Sequence, residues 1–416
     1  MIFIKKLIKI FLNIRLILFI FLSIPMYFLG SVILIFIRLV SPIFLIRIHC
    51  LSRRIGHLVA NSELILLEKK LNLYPLEKPH LDLFYMMKVP NYQIYKMLKR
   101  SGLNLLPSYI LHPIRIINNL IPGGKQHDFA NHLHTDSDRD TKSLFNKNET
   151  QIYLTKEEMT NGKKILKEIG LSDKDKFVCV IVRDNGYLKN YLGGIWEYHS
   201  FRNYNIDNFK LAIETLINKG YFVFRMGRNT EKKLTIKNRK FLDYSNSKYS
   251  SDFMDVFLGA NCDFCISTST GFDAIPFVFR KPIAFTHCPV GIFFTFSNKY
   301  IAITKSHYSL EKKRNLSLSE IFECELAFTL KSEEFNKKVE LIENTPEELN
   351  DLALEMVELI NNNFEFKEEA REIQKKFRKI YKKNIIDYCG EKNRWHGEIK
   401  SNISVNFVKK NYNFLN

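Results

Sequence analysis

The sequence predicts an α/β protein with a parallel sheet in its latter half. Two observations carry this. First, the short apolar runs Phe177–Val182, Tyr221–Arg225, Phe264–Ser267 and Ile283–Thr286 read as strands. Second, helical segments separate them, so that strand follows helix at the spacing of right-handed crossover units. A third observation, the length of 416 residues, exceeds one small core and predicts two domains with appendages.

The N-terminal end comes first. Leu16 to Ile37 is a run of 22 residues without a charge, which as a helix extends ~33 Å and is long enough for a bilayer core. It is too long for a signal-peptide apolar region and lacks a small-x-small cleavage site. Lys5, Lys6, Lys9 and Arg15 precede it, and Arg38, Arg47, Arg53 and Arg54 follow it, so positive charge gives no orientation. Pro25 and Gly30 interrupt its middle. Two geometries meet these facts: one spanning helix, or two apolar arms that enter one leaflet and return. Residues 1–42 are assigned to this membrane-associated segment.

The first α/β domain is expected over residues 43–175. Ile43–Leu51 reads as a strand, Ser52–His57 as a polar loop and Leu58–Leu71 as a helix. Asp82–Met87 and Tyr92–Arg100 repeat the unit as strand and helix. Residues 123–151 hold few apolar residues and many His, Asp, Asn and Lys, which predicts a polar linker.

The second domain is expected over 176–330. After Phe177–Val182, the segment Asn205–Lys219 places Ile206, Phe209, Ile213, Leu216 and Ile217 on one helical face, and Gly220 ends it. Phe241–Tyr244 is a weaker strand. Asp252–Ala260 and Gly271–Phe279 read as helices. From 331 to 416 the prediction is helical: Thr345-Pro346-Glu347-Glu348 is a capping box with proline at the first helical position, and Glu365–Lys382 reads as a charged, solvated helix. No internal repeat is visible.

Composition narrows the function classes. With 25% charged and 13% aromatic residues the chain is neither wholly disordered nor collagen-like. The net charge of +18, of which residues 1–50 supply +6 and no acid, calls for anionic partners. The seven cysteines are odd in number and mostly sit in apolar runs, so a disulfide framework is not expected and a reducing compartment is. Cys262 and Cys265 form a lone CxxC that enters an apolar strand and reads as core. His127, Asp128, His132, His134, Asp136, Asp138 and Asp140 lack a metal-site frame and read as a solvated loop.

Three segments end strands at one edge of the expected C-terminal sheet, where open α/β sheets bind ligands. They are Arg183–Tyr187, Arg225–Arg228 and Ser267–Gly271. Arg183 and Arg225 offer permanently charged, bidentate donors. Ser267, Ser269, Thr270 and Gly271 open a helix whose free N–H groups and dipole favour an anion. Arg202, just before the Asn205 helix, is placed to reach the same anion. Together these residues predict a phosphate or diphosphate site. Asp273, among apolar neighbours, reads either as a ligand for ribose or sugar hydroxyls or as a structural carboxylate, and Asp207 as an ordinary helix-dipole acid. Gly56 and His57 occupy the analogous position in the first domain, where Gly56 permits close approach and His57 suits a general base or an acceptor contact, against the plain reading of a helix-cap histidine.

Several blocks then carry a family resemblance. Arg183–Leu188, His199–Asn203 with Ile206-Asp207, and Phe224–Gly227 resemble successive blocks of a bacterial glycosyltransferase family associated with surface polysaccharide. Arg54–Leu58, Arg139-Asp140, Ser267–Pro276, and the tail Ile403–Phe407 with Phe414-Leu415 join them. More distantly, the segment from Ala260 to Ser269 after a strand-ending arginine is similar to the donor half of fucosyltransferases of the GT-B type. The family carries an acid where Asn203 stands here.

This resemblance implies a GT-B-like fold with two Rossmann-like domains facing a cleft. It implies a nucleotide-sugar donor held by Arg183, Arg225, Arg202, Ser267, Ser269, Thr270, Gly271 and Asp273, with no metal and no cofactor. It implies a lipid-linked or growing surface glycan as acceptor near Gly56 and His57, with His57, Arg183 and Arg202 in catalytic roles. The basic, apolar N-terminus then sets the catalytic part on the cytoplasmic side of the cell inner membrane, against anionic lipid. Two other classes are distinguished by their partners. A non-catalytic glycan-binding or assembly protein of the same fold binds glycan without nucleotide. A membrane-tethered nucleic-acid binder needs one continuous basic strip. The converging arginines rank it third, so no nucleic-acid partner is expected.

Overall fold

The structure, a computed structural model, describes residues 24–73, 75–129, 140, 142–186, 197–287, 290–291, 297–392 and 399–416. The N-terminal half is built on a three-stranded parallel sheet in the order β1-β2-β3, with β1 Leu45–Cys50, β2 His80–Tyr85 and β3 Asn104–Leu105. Residues 24–40 form helix α1, followed by α2 Ile55–Lys70, α3 Tyr92–Arg100 and α4 Ser108–Leu120. In the sheet, Asp82 on β2 is fully buried yet accepts bonds from Arg47 at 2.7 Å and Lys69 at 3.2 Å. Burial alone would raise its pKa, but these two cations outweigh it and hold the carboxyl below its ordinary value.

Helix α1 differs from the expected membrane-crossing segment. Among the described residues no helix is long and apolar enough to cross a membrane. The part of the expected span before residue 24 lies outside the described residues. What is described packs against protein: Leu34 and Ile37 join Ile48, Tyr85, Leu111 and Ile114 in a small apolar cluster. Arg38 locks its end, donating to Pro122 O at 2.6 Å and Asn118 Oδ1 at 2.9 Å.

Much of the polar stretch 123–151 is put to structural use. His127 is buried with Nδ1 2.8 Å from Ile46 O. Asp128 pairs with Arg115 at 3.1 Å. Asp140 caps a short helix by accepting from Leu144 N at 2.7 Å and Phe145 N at 3.0 Å. His132, His134, Asp136 and Asp138 lie outside the described residues. The helix Lys156–Ile169, absent from the sequence reading, starts with a Thr155–Glu158 capping box and stops at Gly170, φ +112°.

The C-terminal half holds a seven-stranded parallel sheet in the order β12-β9-β8-β7-β4-β5-β6. Its strands are β4 Phe177–Ile181, β5 Phe222–Arg225, β6 Phe241–Leu242, β7 Phe264–Ser267, β8 Ile283–His287, β9 Tyr300–Thr304 and β12 Asn402–Ile403. Here β4 leads outward to β5 on one side, while the chain returns to place β7 on the other. The order therefore reverses between β4 and β7, which makes a topological switch point at their carboxyl ends. A separate antiparallel pair joins β10 Ser306–Ser309 to β11 Val339–Ile342. Cys179, Cys262 and Cys265 are fully buried on or beside the sheet, and burial pushes the Cys179 and Cys265 thiols up, as expected of core cysteines.

The tail is more than helices. β12 adds to the edge of β9, and Gln374 on the helix Glu368–Lys392 pairs with it on both sides, donating to Ile403 O at 2.8 Å and accepting from its N–H at 3.0 Å. That helix, expected to be a solvated face, buries Gln374, Phe377 and Tyr381. Glu355, on the capped helix Pro346–Asn361, accepts from Ser404 Oγ at 2.6 Å and Val405 N at 2.8 Å. One apolar cluster runs from Leu51 and α2 to Leu415, so the two halves share a core.

Helix α2 explains how. Its sequence carries apolar residues on all faces, and it is buried from Leu58 to Glu68. Of its two buried acids, Glu63 is the deeper. It accepts from Arg280 of the C-terminal half at 2.9 Å and from Gln151 N at 2.9 Å. Burial raises the Glu63 pKa, and Arg280 opposes it.

Candidate functional site

The switch point sits against the start of α2. Gly56 and the loop after β7 touch: a Cβ on Gly56 would lie 3.0 Å from Gly271 Cα and 3.3 Å from its carbonyl oxygen. Two residues without a side chain are what such an approach demands. The turn expected to receive acceptor and the turn expected to receive donor thus face one another directly. His57 follows in the first turn of α2, half-buried.

The loop after β7 is stitched to itself. Ser267 Oγ donates to Asp273 Oδ2 at 2.7 Å, and Thr270 N donates to the same oxygen at 2.8 Å. Ser269 N donates to Ser267 Oγ at 3.1 Å, and Phe272 N to Thr270 Oγ1 at 3.2 Å. The helix that follows is only Ala274–Val278, shorter than expected because this turn occupies Gly271–Asp273. Three amides expected to be bare are therefore satisfied internally, and Asp273 serves as the loop's clasp rather than as a free carboxylate for sugar hydroxyls. Ser269 adopts φ +60°, a left-handed conformation that costs a non-glycine residue roughly 1–2 kcal/mol. Its carbonyl accepts from Arg202 Nη2.

Positive charge supplies what the amides do not. Arg183 follows β4, and its backbone N donates to Thr268 Oγ1 at 2.8 Å, tying both lips of the switch point together. Tyr204 N in turn donates to Arg183 O at 3.2 Å, which brings the Arg202 turn alongside. The Arg183 side chain reaches partly into solvent. Its Nε and Nη2 are nevertheless buried and meet no hydrogen-bond partner among the described residues. Burial, then Arg202 and Arg54, lower its pKa to about 9, against a partial offset from Asp184. A guanidinium remains charged at neutral pH all the same. Burial is the larger cause of the depression and the neighbouring cations add to it; a bound anion would relieve that second part.

His199 lies in the same field. Burial comes first, then Arg202, Arg183 and Arg54, and together they push its pKa down to about 4. Its Nδ1 is buried without a partner among the described residues, and its ring lies 4.0 Å from that of Tyr198. Arg54 and His199 were not singled out as site residues from sequence. Arg54 stands at the start of α2 in the other half of the molecule, and no local pattern relates it to β4. His199 is one residue of a short 3-10 turn, Glu197–Arg202, with no helical or strand period to assign it a face.

Arg225 is placed elsewhere. It is 1% exposed, and Nη1 donates to Thr230 Oγ1 at 2.7 Å, Ser245 Oγ at 2.5 Å and Asp243 Oδ1 at 3.3 Å. Nη2 donates to Lys232 O at 3.1 Å. It anchors the loops after β5 and β6 instead of presenting its Nη groups with Arg183. Asp184 extends the same framework, accepting from Gly186 N and Glu231 N at 3.0 Å each. Arg228 likewise pairs with Asp252 at 2.6 Å and Asp255 at 2.7 Å.

Fold and site together define a doubly wound α/β protein with a guanidinium cluster at the switch point of its larger sheet. No family model matches the chain, and no curated protein matches it. Among solved structures, it is similar to the E. coli ADP-heptose LPS heptosyltransferase II at 14% identity and a TM-score of 0.37, over 75% of this chain and 99% of that one. It is also similar to a glycosyl transferase family 9 protein from Veillonella parvula at 9% identity and a TM-score of 0.41, over 74% of this chain and 96% of that one. At these scores neither likeness carries an argument about this chain, and its chemistry is read from its own residues.

Proposed function

We propose that the protein is a glycosyltransferase that moves a sugar from a nucleoside-diphosphate donor to a glycan acceptor, with the diphosphate held by Arg183, Arg202 and Arg54. One observation carries this reading: Arg183 brings two buried guanidinium nitrogens, Nε and Nη2, that meet no partner among the described residues to a sheet switch point amid like charge. A diphosphate matches that demand, since its oxygens accept bidentate bonds and its charge compensates several cations at once.

In the transfer, the bond from the sugar's anomeric carbon to the diphosphate oxygen breaks, and a bond from an acceptor hydroxyl oxygen to that carbon forms. The leaving oxygen gains negative charge as the bond breaks, and the fixed guanidiniums stabilise it without reorganising. The acceptor's proton must pass to a base. His57, in the first turn of α2 beside the Gly56–Gly271 contact, is the residue assigned to that step. The acceptor is read as a lipid-linked or growing surface glycan, and the reaction as one at the cytoplasmic face of the inner membrane.

The test is a thermal-shift and calorimetric screen of UDP, GDP, ADP, CDP and dTDP against the full-length protein. At least one is expected to raise Tm in a saturable manner, and Arg183→Ala to abolish the response while circular dichroism is unchanged. If no diphosphate binds the folded wild-type protein, the donor site assigned here does not exist.

A further inference from the structure

We propose that the outward face of α1 lies in the plane of an anionic lipid surface, so that the protein docks on one leaflet and does not cross it. Among the described residues, 24–40 are helical, and one side of this helix is taken. A Cβ on Gly30 would lie 3.1 Å from Pro113 Cβ and 3.3 Å from Ile114 N, so α1 and α4 pack nearly backbone to backbone. A helix held that closely by a folded domain cannot be surrounded by lipid.

The opposite side is apolar and open. Phe28, Val32, Phe36 and Leu39 recur at helical spacing along one stripe, with Phe28 72% and Leu39 73% exposed. Ile43 just beyond the helix and Leu120 at the end of α4 continue it, each 80% exposed. Leu120 adjoins the stripe because Arg38 is bonded to the carbonyls of Asn118, Ile121 and Pro122. A contiguous apolar surface of this kind marks an interaction site.

Charge selects lipid as the occupant. Residues 1–50 hold six basic residues, one of them, Arg47, neutralised by Asp82 of β2, and no acid. Arg38 sits within the helix beside the stripe. Lys78 reaches the turn after it, donating to Ser41 O at 3.3 Å. The 23 residues that precede the helix, outside the described residues, contain Lys5, Lys6, Lys9 and Arg15 among Ile, Leu and Phe. Apolar side chains interleaved with cations are the composition that inserts at the boundary between acyl chains and anionic headgroups. A second copy of this chain would bring the same basic residues against each other. This inference stands independently of the transferase reading.

The test uses the full chain and extruded vesicles. Cosedimentation with phosphatidylglycerol–phosphatidylethanolamine vesicles is expected to exceed that with phosphatidylcholine vesicles, and Phe28→Ser/Phe36→Ser/Leu39→Ser to lower the partition constant by about tenfold or more with Tm unchanged. In a Trp196→Phe/Trp395→Phe background, the reporters Phe28→Trp and Leu39→Trp are expected to be quenched by brominated lipids at one common depth. Depths differing by ~16 Å, the rise along eleven helical residues, would mean a spanning helix and overturn the proposal. So would equal binding to both vesicle types. Self-association in lipid-free buffer that the triple variant abolishes would assign the face to a second copy and overturn it equally.

Discussion

Arg202 donates from its guanidinium to the backbone carbonyl of Ser269, whose φ of +60° turns that carbonyl toward it. A strained residue in the loop after β7 thus holds a cation of the Glu197–Arg202 turn. Arg202 is kept beside Arg183 despite their mutual repulsion, and a bound anion would offset that cost.

Two arginines one strand apart are therefore expected to respond oppositely to removal. Arg183→Ala deletes a guanidinium whose buried Nε and Nη2 meet no partner among the described residues, so Tm of the free protein should hold or rise, while diphosphate affinity falls by about 100-fold, the loss of two charge-assisted bonds. Arg225→Ala deletes the anchor of three side chains and leaves Asp243 without its guanidinium. Its cost is about 3–5 kcal/mol, read by urea titration. If Arg225→Ala leaves stability untouched and removes binding alone, the roles are reversed from those assigned here.

Acid should destabilise the protein well above the carboxylate range. His199 and His307 both have pKa values pushed down to about 4, chiefly by burial. Unfolded, each protonates near 6.5. Between those values the unfolded state binds more protons than the folded one, so stability falls as pH drops from about 6.5 to about 4. Urea midpoints measured across that window should show a slope approaching two protons, reduced to one by His199→Gln.

A bound diphosphate should change the first of these histidines and not the second. Neutralising Arg183, Arg202 and Arg54 removes the charges that depress His199, whereas His307 is held down by its own burial and by Lys305. Imidazole resonances followed by NMR titration should show the His199 pKa rising toward its ordinary value on saturation with ligand. An unmoved His199 would place the ligand elsewhere.

The coupling of the two halves through α2 has its own test. Arg280→Met leaves Glu63 buried with its backbone donors but without a counter-charge, which should cost about 3–5 kcal/mol. The double variant Arg280→Met/Glu63→Leu should recover part of it, because an apolar pair fills the same space without a buried charge. Both are measured by thermal and urea unfolding.

The regular part of the fold was legible because burial on one or both faces imposes a period on the sequence. The runs Phe264–Ser267 and Tyr92–Arg100 coincide with β7 and α3. What the pattern could not convey was partnership. Arg225 and Arg183 look alike at two strand ends, and only Asp243, Thr230 and Ser245, brought in by the following loops, mark Arg225 as an anchor. Asp273 likewise closes a turn through Ser267 and Thr270, contacts invisible without knowing that the helix starts at Ala274. β12 is not legible because two residues at a sheet edge carry no period, and α2 carries Asn61, Ser62, Glu63 and Glu68, polar residues that conceal that both halves enclose it.

The strand β12 also orders events in time. Asn402 and Ile403 border β9, and Phe414 and Leu415 enter the core. They follow every other strand of that sheet in the chain. The margin of β9 must then stay open as a pairing template from the making of Thr304 to that of Asn402, whereas α1 is made well before either. A nascent chain already resting on lipid would be kept apart from its neighbours during that interval, and a premature stop after Lys392 would leave the margin bare for good.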